Sequence, residues 1–233
     1  CVDSTGASAQ KTGGALAWAV SNGNAAGGFQ GGTTLPGAST LFMFLIWGTA
    51  GVAPFASASL SLTLPSGYAY ARPLFPFTTD TSGNPIPFTA VEIAGGALEC
   101  TLATFVMDAN PMTVTATRQL LLTSLPVGLS LEWRGAAEFA ISSAPSSQLA
   151  VIFGSPADPD VPPGNTFTGP VSQEPSALPL PDIFGSVGGG VYSINIQSKR
   201  RFTDALGRVA VRANQSYGGF YVVTTGWVFG RRI

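Results

Sequence analysis

Glycine and proline set the strongest constraint on the fold of this chain. Its 233 residues include 29 glycines and 18 prolines, which cost roughly 1 and 3 kcal/mol in a helix interior relative to alanine. Both residues are common in the turns that join short strands. Because apolar residues still make up 45% of the chain, enough side chains remain to form a core. The composition therefore predicts a folded, all-β protein without a convincing helix.

Apolar runs of strand length recur between segments rich in turn residues. The runs lie at 41–47, 60–64, 91–93, 98–102, 112–122, 129–141, 149–153, 192–197, 208–212 and 220–229. Several of them alternate apolar and polar side chains, as half-buried strands do. Turn-rich segments at 72–88 and 154–181 are expected to be long loops. The pattern predicts an antiparallel sandwich with long loops, of the eight-stranded jelly-roll type.

The predicted domain organisation depends on the point in the sequence from which large apolar residues become frequent. Residues 1–38 contain few of them and are expected to form an N-terminal arm or extended segment, followed by one jelly-roll domain over 39–233. All-β domains of about 200 to 250 residues are common. The most apolar run, 41–47, is much shorter than the roughly 20 residues that span a bilayer. We therefore expect no membrane-spanning segment.

The chain contains no histidine, and only 10% of its residues are charged. Histidine is the commonest proton shuttle and metal ligand, so Ser-His-Asp and Cys-His mechanisms and imidazole zinc sites are excluded. We expect no enzymatic activity and no catalytic, cofactor-binding or metal-binding residues. Asp158 and Asp160 could offer oxygen ligands to calcium, but among prolines they are expected to keep a loop solvated. An enzyme that uses carboxylates alone is the weakest alternative.

Positive charge is concentrated at the C-terminal end. From Lys199 to Arg232 there are seven basic residues and one acidic residue, giving +6, whereas residues 1–110 carry two basic and five acidic residues, giving −3. Basic clusters can neutralise phosphates. The candidate contacts to RNA or to a neighbouring subunit are Lys199, Arg200, Arg201, Arg231 and Arg232. A solvated loop, or interface ion pairs, is the simpler explanation of this cluster.

The overall charge balance favours an assembling protein. A formal net charge of −1 is unfavourable for the solubility of an isolated domain, and the mean hydropathy of +0.31 points the same way. Both values suit a surface that is buried against other subunits, although a surface of Ser, Thr and Gly would also explain them. The two cysteines, Cys1 and Cys100, are expected to be free thiols.

Ordered landmarks appear in the second half of the chain, from about residue 85. Pro87-Phe88-Thr89 leads into Leu98-Glu-Cys-Thr-Leu102, and Leu125-Pro126 precedes a strand that contains Trp133. Leu180-Pro-Asp-Ile-Phe-Gly-Ser186 then precedes a Gly-rich turn and the Tyr192 strand, and the chain closes on Phe229-Gly-Arg231. In order and spacing, these landmarks resemble the C-terminal jelly-roll domain of plant picorna-like virus capsids, of the nepovirus and comovirus kind.

The resemblance implies a small coat protein. Such a protein is a structural subunit of a small icosahedral positive-strand RNA virus, and it assembles near the fivefold axes of a pseudo-T=3 shell. Its partners would be a large coat protein or sister jelly-roll domains and, with weaker support, viral RNA, but no membrane. It would be found in the virion, and in the host cytoplasm during assembly. Release from a polyprotein would agree with a first residue other than Met.

A second hypothesis comes from a different functional class. A β-sandwich of this size could be a receptor-binding or glycan-binding module, from a phage or a secreted protein. In that case Trp18, Tyr68 or Trp227 should lie exposed in a groove. The exposure of these aromatic side chains therefore discriminates between the two hypotheses.

Overall fold

A computed structural model describes residues 16–141, 149–160, 182–186, 190–194 and 201–230. Within these ranges, the regular structure consists of β-strands and one 3-10 helix, Val20–Asn22. The prediction of an all-β protein is confirmed. No helix among the described residues is long and apolar enough to cross a membrane.

The chain forms two compact units that divide between Asn84 and Pro85. This boundary differs from the predicted division into an arm over 1–38 and one domain over 39–233. The difference arises because residues before 39 join the first unit: Phe29 and Gln30 pair with a later strand of that unit. Trp18 also donates its indole N–H to the Gly28 carbonyl at 2.8 Å, and its ring packs edge-on against Phe77.

The first unit contains one four-stranded sheet. Its strands are β1 (Phe29–Gln30), β2 (Thr40–Gly48), β3 (Gly51–Ser57) and β4 (Tyr70–Thr78). The strand order is β1-β3-β2-β4, with β1 parallel to β3 and the other pairs antiparallel. Strand β2 lies in the interior of the sheet and buries Leu41, Phe44 and Ile46, as the apolar run at 41–47 predicts.

Two predictions in this unit are wrong. Residues 60–64 form no strand. Two of their backbone amides donate to side chains instead of to a neighbouring strand: Ser61 N donates to Ser59 Oγ, and Thr63 N donates to Gln30 Oε1. The predicted loop at 72–88 instead contains most of β4, including Pro73 and Pro76. Proline is tolerated there because β4 is an edge strand. On the outer side of an edge strand no neighbouring strand needs a backbone N–H, which is the group that proline lacks.

The described part of the second unit contains ten strands. They are β5 (Phe88–Ile93), β6 (Ala97–Val114), β7 (Gln119–Leu122), β8 (Glu132–Ile141), β9 (Leu149–Gly154), β10 (Asp182–Ser186), β11 (Gly190–Ile194), β12 (Arg201–Phe202), β13 (Arg208–Ala213) and β14 (Tyr217–Phe229). The predicted run at 112–122 is divided between the end of β6 and the separate strand β7.

These strands form two antiparallel sheets. One has the order β10-β9-β13-β7, and the other has the order β11-β8-β14-β6-β5, with β12 also paired to β8. Strands β11 and β12 pair with opposite ends of β8, so both lie along the same edge of that strand. The pairings are nested along the chain: β6 pairs with β14, β7 with β13, β8 with β11 and β12, and β9 with β10.

Aromatic side chains join the two sheets of the second unit. Phe153 of β9 is fully buried, with its ring centroid 5.1 Å from that of Trp133 on β8 and 6.2 Å from that of Phe220 on β14. Trp227 is 1% exposed and packs against Phe88 at 5.3 Å. Trp133 and Trp227 both belong to the core, and the unit is a β-sandwich in its layering.

Replacing Phe153 by alanine should strongly destabilise the second unit, because the substitution opens a cavity between the two sheets. We expect a loss of about 3 to 5 kcal/mol in the free energy of unfolding, measured by denaturant titration. The control is Leu122→Ala, at a side chain that is 62% exposed, where the change should stay within about 0.5 kcal/mol. Equal losses at the two positions would contradict this account of the core.

The Cys100 thiol should be unreactive in the folded protein. It is fully buried and free, and burial, together with the negative charge of Glu99, raises its pKa to about 12. The thiolate is the reactive form. In a Cys1→Ser variant, Cys100 is the one remaining thiol. Ellman's reagent should react with it slowly in the native protein and rapidly in denaturant. Fast reaction under native conditions would show that the strand pair around Cys100 opens readily.

Candidate functional site

Arginines of the second unit are directed at groups of the same unit. Arg118 donates from Nη2 to the carbonyls of Ser155 and Pro156, at 2.8 and 3.0 Å. Arg212 pairs through Nη1 with Asp160 Oδ1 at 2.8 Å, and its Nε donates to a backbone carbonyl of the β6–β7 connection. Both side chains therefore fasten loops to the sandwich.

A third arginine organises the turn before β13. Arg208 approaches Asp204 Oδ2 with Nη2 at 2.7 Å and Nε at 2.8 Å, while Asp204 Oδ1 accepts from the amides of Leu206 and Arg208. Burial raises the pKa of Asp204, but the hydrogen bonds and charge of Arg208, with the Leu206 amide, outweigh it and hold that pKa below its ordinary value. Both carboxylate oxygens of Asp204 thus accept hydrogen bonds within this turn.

Arg134 lies between two carboxylates on β6 and β8. Its Nη1 is 2.9 Å from Glu132 Oε1, and its Nε is 3.3 Å from Glu99 Oε1. Two cavities of about 500 and 370 Å³ adjoin this arginine, the larger one lined also by apolar side chains that include Phe202 and Leu129. The arrangement gives this part of the sheet a groove of mixed polar and apolar lining, with an ion pair in its wall.

Arg201 does not fit its predicted role as an exposed contact to RNA or a neighbouring subunit. The residue is 1% exposed, and its Nε donates to the Phe153 carbonyl at 3.1 Å. Strand β12 places it opposite Trp133, which directs the side chain into the sandwich. The guanidinium group of Arg201 therefore binds a backbone carbonyl inside the second unit.

The remaining predicted contacts lie outside the described residues; they are Lys199, Arg200, Arg231 and Arg232. Arg201 is buried, and Arg208 and Arg212 are paired with carboxylates.

The two aspartates considered as calcium ligands have other partners. Asp158 Oδ2 accepts from the Ser155 amide at 2.7 Å, which closes a local turn. Asp160 pairs with Arg212. Throughout the described ranges, no three His, Cys, Asp or Glu side chains are grouped in a way that could hold a metal ion.

Exposed leucines on β7 form an apolar surface of the second unit. Leu120 and Leu122 are 45% and 62% exposed, and they lie opposite Ala210 and Arg208 of β13. The loops that follow add two more exposed apolar residues, and backbone bonds such as Gly128 N to the Ala205 carbonyl hold these loops together. We call this surface the β7 patch; it consists of Leu120, Leu122, Val127 and Leu206.

Sequence reasoning missed the β7 patch, although a signal was present. Three consecutive leucines, Leu120 to Leu122, occur in a predicted strand. Because successive side chains of a strand point to opposite faces, at least one of them had to face away from the core. Which face turns outward depends on the register with β13, and that register is not visible in the sequence.

The three aromatic residues named by the binding-module hypothesis differ in their exposure. Trp227 is buried in the second unit. Trp18 and Tyr68 are only half-buried, but Trp18 uses its indole N–H within the first unit. The described residues thus offer no groove that exposes Trp227.

Comparison of the chain with protein-family models, curated proteins and solved structures found no match.

Replacing Arg201 by methionine should affect stability and leave RNA affinity unchanged. Loss of the charge-assisted bond to the Phe153 carbonyl should cost about 1 to 3 kcal/mol in the free energy of unfolding. The control is Arg72→Met, at an exposed arginine of the first unit, which should change stability by less than about 0.5 kcal/mol. Fluorescence anisotropy with a single-stranded RNA measures binding. A selective loss of RNA affinity in folded Arg201→Met protein would contradict a structural role.

Proposed function

We propose that this chain is a structural subunit of a small icosahedral virus shell, and that its second unit is an eight-stranded jelly roll. The observation that carries the proposal is the nested pairing of the strands. Counting β11 and β12 as one interrupted strand, the first of eight strands pairs with the last, the second with the seventh, the third with the sixth and the fourth with the fifth. A jelly roll has this order in two four-stranded sheets; β5 adds one further edge strand.

The landmarks that suggested the coat-protein resemblance fall on strands of this nested set. Leu98–Leu102 lies in β6, Trp133 lies in β8, and the segment ending at Ser186 includes β10. These positions belong to three different pairs of the nest. The fold thus supports the resemblance where the sequence suggested it, from Pro85 onward.

The surface chemistry favours assembly with other protein subunits. The β7 patch exposes apolar side chains on the edge strand of a sheet, and contiguous exposed apolar surface is typical of protein contacts. The nearby charges of Arg208 and Arg212 are matched by Asp204 and Asp160. A contact there would bury apolar area with little cost of desolvating unpaired charge, which suits sister jelly-roll domains as partners.

Electron microscopy tests the proposed function directly. The chain would be coexpressed with the neighbouring segments of its polyprotein, and the purified material would be imaged. Closed isometric shells that contain this chain around the fivefold axes are expected. Dispersed monomers or trimers that never close into shells, in several expression arrangements, would overturn the capsid proposal.

Polar substitution of the β7 patch should prevent assembly without unfolding the protein. In Leu120→Ser/Leu122→Ser, we expect at least a tenfold loss of assembled particles in sedimentation, because the contact loses apolar area. The circular dichroism spectrum should remain native, since both side chains are exposed. Leu60→Ser is the control, because this leucine of the first unit is 43% exposed. Normal assembly of the double variant would exclude the β7 patch as a subunit contact.

A further inference from the structure

The two cavities beside Arg134 lie where the described part of the chain ends. The larger cavity, of about 500 Å³, is lined by residues 228–230, the last residue of which follows β14 directly. The next residues in the sequence are Arg231, Arg232 and Ile233. Two cations and an aliphatic residue therefore follow the wall of a cavity in the sequence. We call the two cavities together the Arg134 groove.

Carboxylates outnumber cations among the described side chains that line the Arg134 groove. The guanidinium of Arg134 contacts Glu132 at 2.9 Å and Glu99 at 3.3 Å, so two carboxylates share one cation. The Glu132 side chain is 7% exposed, whereas the Glu99 side chain is 41% exposed. A second guanidinium can therefore approach Glu99 from solvent and balance the charge, in the kind of charge-assisted pair that arginine forms well.

The larger cavity also offers apolar contacts. Its lining includes Ile93 at the end of β5, Leu129 and Phe202, and Phe202 is 41% exposed. An aliphatic side chain placed among these groups removes apolar area from water, which is favourable. The Arg134 groove thus combines an excess of negative charge with an apolar wall. A segment that carries both basic and aliphatic side chains complements it.

The segment after Gly230 is close enough to reach these groups. Val228 lies opposite Glu132 in one ladder of β14 and opposite Glu99 in the other. Arg231 follows three residues later, which is about 10 Å along an extended chain. A Cβ at Gly230 would meet nothing within 4 Å, so neighbouring atoms leave room for the backbone to turn there. A turn at Gly230 brings the next side chains back over the groove.

We propose that the Arg134 groove is a binding site for residues 231–233 of the same chain, with an arginine paired to Glu99 and Ile233 packed against Leu129 and Phe202. The segment of the same chain is favoured over that of a second copy, because its short connection to β14 gives it a high effective concentration at the groove. The two arginines then bind within the second unit, as Arg201 and Arg212 do, and do not contact RNA.

A double-mutant cycle on the full chain tests the ion pair. Glu99→Gln and Arg231→Gln/Arg232→Gln are made separately and together, and their unfolding constants are compared by denaturant titration. We expect the combined variant to deviate from additivity by at least about threefold, as contacting residues do. In the control cycle Asp160→Asn replaces Glu99→Gln, because Asp160 pairs with Arg212, and the effects should add within about twofold. Additive effects in both cycles would overturn the proposal.

Disulfide trapping locates the segment by a second measurement that needs no change at Glu99. In the Cys1→Ser background, Leu129→Cys/Ile233→Cys should form a disulfide within one chain at least about tenfold faster than Leu122→Cys/Ile233→Cys, because binding raises the local concentration of the two thiols. Leu122 is the control because it is well exposed on β7. Equal rates, or disulfides only between two chains, would show that the segment does not occupy the groove of its own chain.

RNA binding by Arg231→Gln/Arg232→Gln decides between the groove and phosphate as the partner of these arginines. Fluorescence anisotropy with a single-stranded RNA should show the same affinity as wild type, because both arginines are held by the protein. Weaker RNA binding by the folded variant would assign the arginines to phosphate and would contradict their place in the Arg134 groove.

Discussion

The second unit depends on strand β14, because this strand forms ladders along both of its edges. It pairs with β6 from Tyr217 to Phe229 and with β8 from Phe220 to Val228. Phe220, Val222 and Thr224 face the interior at every second position, and the alternation then shifts so that Trp227 is also buried. The shift occurs between Thr224 and Gly226 in both ladders.

Gly226 makes this shift possible. A Cβ at this position would lie 2.0 Å from the Cys100 carbonyl oxygen, so no other residue fits without moving β6. Beyond it, Trp227 reaches Phe88, whereas Phe220 reaches Phe153 in the opposite sheet. One irregular strand therefore contributes to two parts of the core, and its ladders belong to the nested strand order on which the proposed capsid role depends.

Charge is scarce in this protein, and the described arginines of the second unit bind groups of that same unit. Arg118 and Arg212 fasten loops, Arg134 joins carboxylates of two strands, and Arg201 lies inside the sandwich. On the edge strand β7, by contrast, the exposed side chains are apolar: they are Leu120 and Leu122. Exposed apolar groups of this kind are what the proposed contact with other protein subunits requires.

The sequence by itself determined the all-β class and the low content of charge, because composition and alternation act locally. Local pattern also located β2, β13 and β14 closely, but it misjudged β4, whose prolines are acceptable only at a sheet edge. Only the tertiary structure decided that Arg201 is buried, that Leu120 and Leu122 face outward and that Asp108 meets Ser124 and Thr224. Strand pairing joins residues that are far apart in the chain, and a bulge of one residue reverses the face to which a side chain points.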